Sequence, residues 1–507
     1  MHNKSIMKKI CFTPFLLILL FGLIIAPQHS EGISLLQQDG NVSKLDGSIS
    51  AIVNTDSFST GFAGIYIQRL KDHTTLFALN QDRVFLPASN NKILTSAFAL
   101  QTLGPDFSYH TYVKRSGIMV SNGTLRGNLI LVGSGNPILS FKDIQDMAKQ
   151  VKESGIHRIY GNIDYDDSLF DRQRLGDTWA WDDEPYYYSA QISALNLNEN
   201  MIEVRAFPGK KEGLPLRGAL YPDIGYVKLK VSAVTGAAKS LNSVYFGRVR
   251  GRNIITIAGS IPISTLTKNA PKAPITIENP SRYAADYLVY CLHKDGVIIR
   301  DSAGPSPLVP PKGSVNVAQN VSPPLSTILR LMNKPSDNLL AECLMKTAAA
   351  KISGVGTGGE GGTGVQDARA VLLKIGLIPG ELHQSDGSGL SRTNFISPRN
   401  FIRTLTFLYK SPNFHIFYDS LPIAGVDGSM RRRLTDTLAA NNCHAKTGYV
   451  SQVNTVSGYV TDKDGDMIVF SILFNNMLAP YNACTGAQDK IIELLAEYSD
   501  KEPHNAP

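Results

Sequence analysis

The chain has 507 residues, 43% hydrophobic and 18% charged, with a formal net charge of +7. That is an ordinary globular balance, long enough for about two to four domains. The positive residues are scattered apart from Arg431-Arg432-Arg433, and no basic helix is interleaved with aromatics. Nucleic acid is therefore not an expected partner, whereas a weak association with anionic envelope polymers or a membrane surface fits the charge.

Lys4, Lys8 and Lys9 precede an apolar run from Ile10 to Ala26, and polar Gln28, His29, Ser30 and Glu31 follow. Residues 1–30 read as a signal peptide cleaved between Ala26 and Gly32. The rival reading is an uncleaved membrane anchor, since the run is nearly long enough to span a bilayer. Cys11 sits too early for a lipoprotein cysteine. An exported protein is expected, in a periplasm or at a cell-wall surface. Cys291, Cys343, Cys443 and Cys484 remain after processing and form no C-x-x-C pair and no metal-ligand spacing with histidine. Zero to two disulfides fit, so the core must carry the fold. No metal or cofactor is expected.

Residues 33–60 read as a short helix or loop. Gly64-Ile65-Tyr66-Ile67-Gln68 alternates like a strand, and Thr75-Leu76-Phe77-Ala78-Leu79 returns as the second arm of a hairpin. Pro87 then bars any helix from running in from upstream. From Ser89 the apolar spacing of Ile93, Leu94, Ala97, Leu100 and Leu103 predicts a helix that Gly104-Pro105 ends. Beyond it the pattern turns to short strands at 112–120, 123–132 and 161–164, with a helix over 141–154. Both tryptophans fall in Trp179-Ala180-Trp181-Asp182-Asp183-Glu184-Pro185, which suits either an aromatic cluster packing a loop or a ligand-facing segment. Residues 203–277 read as strands and turns throughout.

Helical spacing returns with Leu325, Ile328, Leu329 and Met332, and again over 339–352. Between them lies Asn333-Lys334-Pro335-Ser336-Asp337-Asn338. Gly356-Thr357-Gly358-Gly359-Glu360-Gly361 matches G-x-G-x-x-G, but a predicted helix precedes it where a dinucleotide site needs a strand, so a flexible loop is the better reading. Asp386-Gly387-Ser388-Gly389-Leu390-Ser391 is a tight turn. A helix over 398–410, strands over 453–460 and 467–474, and a helix over 487–498 close the chain. Those last elements should pack on the hairpin at Gly64, so that both ends of the chain build one domain.

Ser89 and Lys92 stand three residues apart at a helix mouth, where positions i and i+3 share a face. A serine hydroxyl becomes a good nucleophile only when a base takes its proton, and a buried lysine of lowered pKa can be that base. Alone, Ser89-x-x-Lys92 also fits a helix cap followed by a surface lysine. Together with Ser336-Asp337-Asn338 and Lys446-Thr447-Gly448, in that order, it forms the signature set of class A β-lactamases and penicillin-binding proteins. The contexts fit as well: a helix start, a turn between helices and the beginning of a hairpin.

The chain resembles the low-molecular-mass class C penicillin-binding proteins, peptidase family S13, the D-alanyl-D-alanine carboxypeptidases and endopeptidases. The resemblance covers nearly the whole mature sequence. It rests on the three motifs, on Leu339, Ala341 and Glu342, on Asp386 to Ser391, on Trp179 to Asp183, and on the separation of 247 positions from Ser89 to Ser336. It implies an α/β (α+β) fold, a β-lactamase/transpeptidase-like antiparallel sheet with helices, split by nested β-rich inserted domains. The implied organisation is a catalytic domain at 31–105 and 316–507, a second domain at 106–202 and 281–315, and a third at 203–280.

What the resemblance implies for the site is residue-specific. Ser89 attacks the carbonyl between two terminal D-alanines of a peptidoglycan stem peptide, and Lys92 is its base. Ser336 relays a proton to the leaving amine. Asn338 holds Lys92 and the substrate amide. Lys446 lowers the pKa of its neighbours and attracts the substrate carboxylate, which Thr447 also binds. The N–H groups of Ser89 and Tyr449, flanking Gly448, form an oxyanion hole. Asp183, with Asp182 as the alternative, meets the free amine of the stem-peptide diamino acid, or else caps a turn. β-Lactams should acylate Ser89 and leave slowly. Two departures stand out: Tyr449 replaces a small hydroxyl residue common in the family, and Asn136 stands where an aspartate is usual. The competing readings are a β-lactamase, against which the long insertion argues, and a non-catalytic wall-binding protein, against which the complete set of site residues argues. No G-x-S-x-G elbow supports a Ser-His-Asp hydrolase.

Overall fold

The computed structural model describes residues 40–501, so the signal-peptide reading of residues 1–30 lies outside the described residues. Within them, no helix is long and apolar enough to cross a membrane.

Both ends of the chain meet in one antiparallel five-stranded sheet. Its order is Thr75–Leu79, Phe62–Arg69, Met467–Asn475, Val453–Thr461 and His444–Val450. Strand alternation sends successive side chains to opposite faces. Ile65, Val456, Ile468, Phe470, Ile472 and Phe474 face the helices Gly40–Val53 and Tyr481–Glu497. Tyr66, Tyr459, Val469 and Leu473 face Asn91–Leu103, Leu325–Asn333, Asn338–Ser353 and Pro398–Lys410. The sheet is thus buried on both sides, which is why Met467–Asn475 is apolar on both faces and does not simply alternate, and why Val453–Thr461 buries small polar residues such as Thr455 and Ser457.

A separate apolar core runs from Val113 to Ala318. The strands at its two ends, His110–Arg115 and Val315–Val321, pair antiparallel, so the chain leaves and rejoins the part that holds the five-stranded sheet at adjacent points. The architecture is mixed α/β, as expected, with parallel pairs in the insert, Leu129–Val132 with Ile163–Asp166 for example.

Several local readings are corrected. The predicted strand at 112–120 is two strands, His110–Arg115 and Ile118–Val120, separated at Gly117. The insert holds a helix, Pro280–Lys294, that the strand-and-turn reading passed over. Asn279 accepts a bond from Arg282 N–H at its mouth, and Pro280 opens it, a start signal the sequence does carry. Phe414–Ser420 is likewise helical, and the final helix begins at Tyr481, six residues earlier than predicted. Cys291, Cys343, Cys443 and Cys484 are all buried and free.

Candidate active site

Ser89 lies in a short 3₁₀ turn, Ala88–Asn90, that feeds the helix Asn91–Leu103. Ala88 adopts φ +46°, a left-handed conformation that costs a residue with a Cβ about 1 kcal/mol or more. Its surroundings hold it there. Thr455 Oγ1 donates to Pro87 O at 2.8 Å and Asn90 Nδ2 donates to Ser457 Oγ at 2.8 Å, fastening the turn to the sheet. Gly389, itself at φ +87°, presses so close that a Cβ there would stand 1.8 Å from Ala88 O. The strained turn aims Ser89 into a cleft of about 680 Å³.

Lys92 is fully buried one turn below. Its Nζ donates to Ser89 Oγ at 3.0 Å, to Asn338 Oδ1 at 2.6 Å and to Ser388 O at 2.8 Å. Burial pushes its pKa down to about 8, against the upward pull of Asp337, Asp386 and Glu342. The Asp386–Ser391 turn that supplies the Ser388 carbonyl is itself held by two carboxylates. Glu342 accepts from Gly387 N–H at 3.1 Å and Ser388 N–H at 2.8 Å. Asp386 accepts from Gly389 N–H, Ser391 N–H, Asn394 Nδ2 and Trp179 Nε1, all within 2.9 Å. Desolvation, with Asp386 beside it, raises the Glu342 carboxyl to about 7.

Ser336 sits between two helices at φ +68°, and Asp337 caps the second, accepting from Leu340 N–H at 2.8 Å. Lys446, fully buried, donates to Ser336 Oγ at 2.8 Å and to Thr447 O at 2.7 Å. Burial lowers the Lys92 pKa, and the Lys446 pKa falls well below its ordinary value through desolvation and then repulsion by Lys92. The Lys446-Thr447-Gly448 motif lies on the edge strand His444–Val450, the first arm of a hairpin whose second arm is Val453–Thr461, as expected. Ala445 N–H turns outward to Pro422 O, so with a period of two the Thr447 and Tyr449 N–H groups lie on the same open edge. Gly448 brings that strand against the Ser89 turn: a Cβ on it would stand 2.9 Å from Ser89 N and 2.3 Å from Thr455 Oγ1.

All five motif side chains, Ser89, Lys92, Ser336, Asn338 and Lys446, therefore converge, and Thr447, Gly448, Tyr449 and Asp183 line the same cleft as Ser89. Thr447 Oγ1 is 2.5 Å from Ser429 Oγ. Tyr449 is exposed and meets Tyr481 edge to face. Asp183 is half-buried and accepts from Tyr188 OH at 2.7 Å, whereas Asp182 is exposed. The tryptophan segment divides between its two readings: Trp179 anchors the Asp386 turn while Trp181 faces solvent. Sequence reasoning missed Ser388, whose role is played by a backbone carbonyl and leaves no side-chain signal. It noted Glu342 without a role, although Glu342 follows Asn338 by four residues, on the same helix face. Ser429 and Arg392, which also line the cleft, belong to no motif that was read.

The model of the D-Ala-D-Ala carboxypeptidase 3 (S13) family matches residues 45–498. The chain belongs to that family. Among curated relatives it is 34% identical over 478 residues to a D-alanyl-D-alanine carboxypeptidase of Actinomadura sp. (strain R39), covering 92% of this chain and 86% of the relative. It is 26% identical over 417 residues to the D-alanyl-D-alanine carboxypeptidase DacB of Haemophilus influenzae, covering 81% and 85%. Among solved structures, penicillin binding protein 4 (dacB) of Haemophilus influenzae shares the fold, with a TM-score of 0.78, 24% identity, and coverage of 90% of this chain and all of that one. A second structure of that protein, described as complexed with a β-lactam, has a TM-score of 0.74 at 22% identity and covers the same shares.

Proposed function

We propose that this S13 protein is a serine DD-peptidase that removes the terminal D-alanine from peptidoglycan stem peptides. The observation that carries the reading is Lys92 Nζ at 3.0 Å from Ser89 Oγ, in a fully buried cage where the lysine pKa falls to about 8. Neutral Lys92 takes the Ser89 proton as Oγ attacks the carbonyl of the penultimate D-alanine. The oxyanion forms against the N–H groups of Ser89 and Tyr449, each donor contributing about 3–4 kcal/mol in comparable acyl-transfer sites. Ser336 passes a proton to the leaving D-alanine amine, oriented by Lys446 at 2.8 Å. Water then takes the place of the amine and releases the acyl group. Asn338 fixes Lys92 and offers its amide to the substrate.

Thr447, Lys446 and Ser429 receive the terminal carboxylate. Tyr449 contributes its backbone rather than a hydroxyl, because its side chain turns to Tyr481. Asp183, at the opposite wall, meets the diamino-acid amine. β-Lactams, which the H. influenzae relative binds, acylate Ser89 in the same way. Because a cross-link is also an amide of a D-alanine carbonyl, the proposal extends to endopeptidase cleavage. The separate core from Val113 to Ala318 supports an insertion between the two ends of the chain, and its division into 106–202 with 281–315 and a nested 203–280 is part of the proposal. Export is part of the proposal, with a weak association to the anionic envelope.

The test is D-alanine release from a synthetic stem pentapeptide, and release of the acceptor stem peptide from a cross-linked dimer, by wild type and by Ser89→Ala. Release from the pentapeptide that falls by about a thousandfold or more in the variant is expected. Equal activity of the two proteins would overturn the assignment of the nucleophile.

A further inference from the structure

Although the Lys and Arg residues are scattered along the sequence, the net positive charge is concentrated where acids are few. Residues 203–280 hold twelve Lys and Arg against four Asp and Glu, a net +8 that exceeds the +7 of the whole chain. Arg248 is buried against Glu184 and Glu278, and Arg205 is half-buried beside Glu203; the other ten cations are exposed.

Three loops of this unit lie side by side. Gly213 N–H donates to Thr235 O at 2.9 Å and Thr235 N–H to Leu214 O at 2.8 Å, joining the loop 208–216 to the strand Val234–Gly236. The loop 237–243 continues from that strand. Ile263 N–H donates to Gly236 O at 3.0 Å and Ser264 Oγ to Ala238 O at 2.6 Å, bringing in the loop 263–270. Each loop carries an exposed leucine with lysine close by. The first has Leu214 with Lys210 and Lys211, the second Leu241 with Lys239, the third Leu266 with Lys268. The leucines are 45%, 87% and 58% exposed, and they are three of the six exposed leucines among the described residues. Glu212 is the one acid in the three loops.

A single exposed leucine is ordinary. One on each of three adjacent loops, each with lysine whose stem is apolar and whose head is charged, is the composition of a surface that sits at a lipid interface. An anionic polymer would satisfy the lysines and leave the leucines in water. An anionic bilayer satisfies both, with phosphates at the lysine heads and acyl chains around the leucines.

We propose that this three-loop tip docks on an anionic phospholipid surface. Leu214, Leu241 and Leu266 enter the acyl boundary, and the four lysines pair with headgroup phosphates. The inference deepens the envelope association proposed above and rests on export. None of these residues lines the active cleft, so docking and catalysis are separable.

The test is co-sedimentation of the processed protein, as purified from the cells that export it, with phosphatidylcholine–phosphatidylglycerol vesicles and with pure phosphatidylcholine vesicles. Peptidase activity on a soluble pentapeptide is followed in parallel. Wild type should bind the anionic vesicles and not the neutral ones. Leu214→Ser/Leu241→Ser/Leu266→Ser should weaken binding about tenfold or more and leave peptidase activity unchanged. Replacing the four lysines by Gln should also weaken binding and flatten its dependence on salt. The proposal is overturned if wild type binds neither vesicle, if it binds both equally, or if the leucine variant binds as wild type does. It is equally overturned if only soluble polyphosphate is bound. Loss of peptidase activity in wild type would count against the enzyme reading and not against docking.

Discussion

In the proposed mechanism Lys92, as the base, sets the working range of the enzyme. Its ordinary value is 10.5 and burial lowers it to about 8, so only the fraction above that pH is ready to accept a proton. The rate of Ser89 acylation should therefore fall tenfold per pH unit below about 8; a pH profile of β-lactam acylation checks this, and a flat profile between pH 6 and 8 would exclude Lys92 as base. Glu342 adjusts the same limb. Its negative charge raises the Lys92 pKa, and it is mostly ionised above about 7. Glu342→Gln should move the limb to lower pH while slowing the plateau, because the turn presenting Ser388 O is less firmly held. A purely structural Glu342 would change the plateau and leave the limb in place. The motif residues were legible in the sequence because serine, asparagine and lysine side chains do the work. The Ser388 carbonyl was not, since every residue has one.

The nucleophile turn and the edge strand His444–Val450 meet across Gly448. Gly448→Ala would place a methyl 2.9 Å from Ser89 N and 2.3 Å from Thr455 Oγ1, and both neighbours belong to packed elements. The expected result is a fall in acylation rate of about a hundredfold or more with a smaller loss of stability, since the strand must retreat from the oxyanion position. Stopped-flow acylation beside a urea titration separates the two. Helices with strong apolar spacing, such as Asn338–Ser353, were read nearly to the residue. The helix Pro280–Lys294 was not, because it follows directly on the strand-and-turn pattern of 203–277. The split of 112–120 turned on Gly117, whose left-handed φ of +91° is a backbone fact that alternation does not report.

At the scale of the molecule, the insert forms part of the active site. Tyr188 O receives Asn338 Nδ2 at 2.8 Å, and Trp179 holds the Asp386 turn. Lys346, buried on the helix that carries Asn338, donates to Asp171 Oδ1 at 2.6 Å and Gln173 O at 2.9 Å. The glycine-rich loop that mimics a nucleotide fingerprint closes over this ion pair: Gly358 N–H donates to Asp171 Oδ2 at 2.8 Å. Removing one partner of a buried pair costs about 3–5 kcal/mol. Because Asp171 is partly exposed, Lys346→Ala should cost near the lower end, read by urea denaturation. No loss would mean that the insert is held by other contacts. The sequence made an insertion legible through the spacing of its motifs and the change from helical to strand patterning. Of the insert residues at the cleft, the resemblance picked out Asp183, which lines it, whereas the contacts of Tyr188 and Asp171 were not legible, because they join positions 150 or more residues apart.

The central claim, that Ser89 is an acylable nucleophile served by Lys92, is tested most directly by intact-mass spectrometry after brief exposure to benzylpenicillin. The account predicts a stable gain of one intact penicillin, mapped to Ser89 and absent from Ser89→Ala. Rapid drug hydrolysis without an adduct would mark a β-lactamase instead, and neither adduct nor hydrolysis would contradict the catalytic reading altogether.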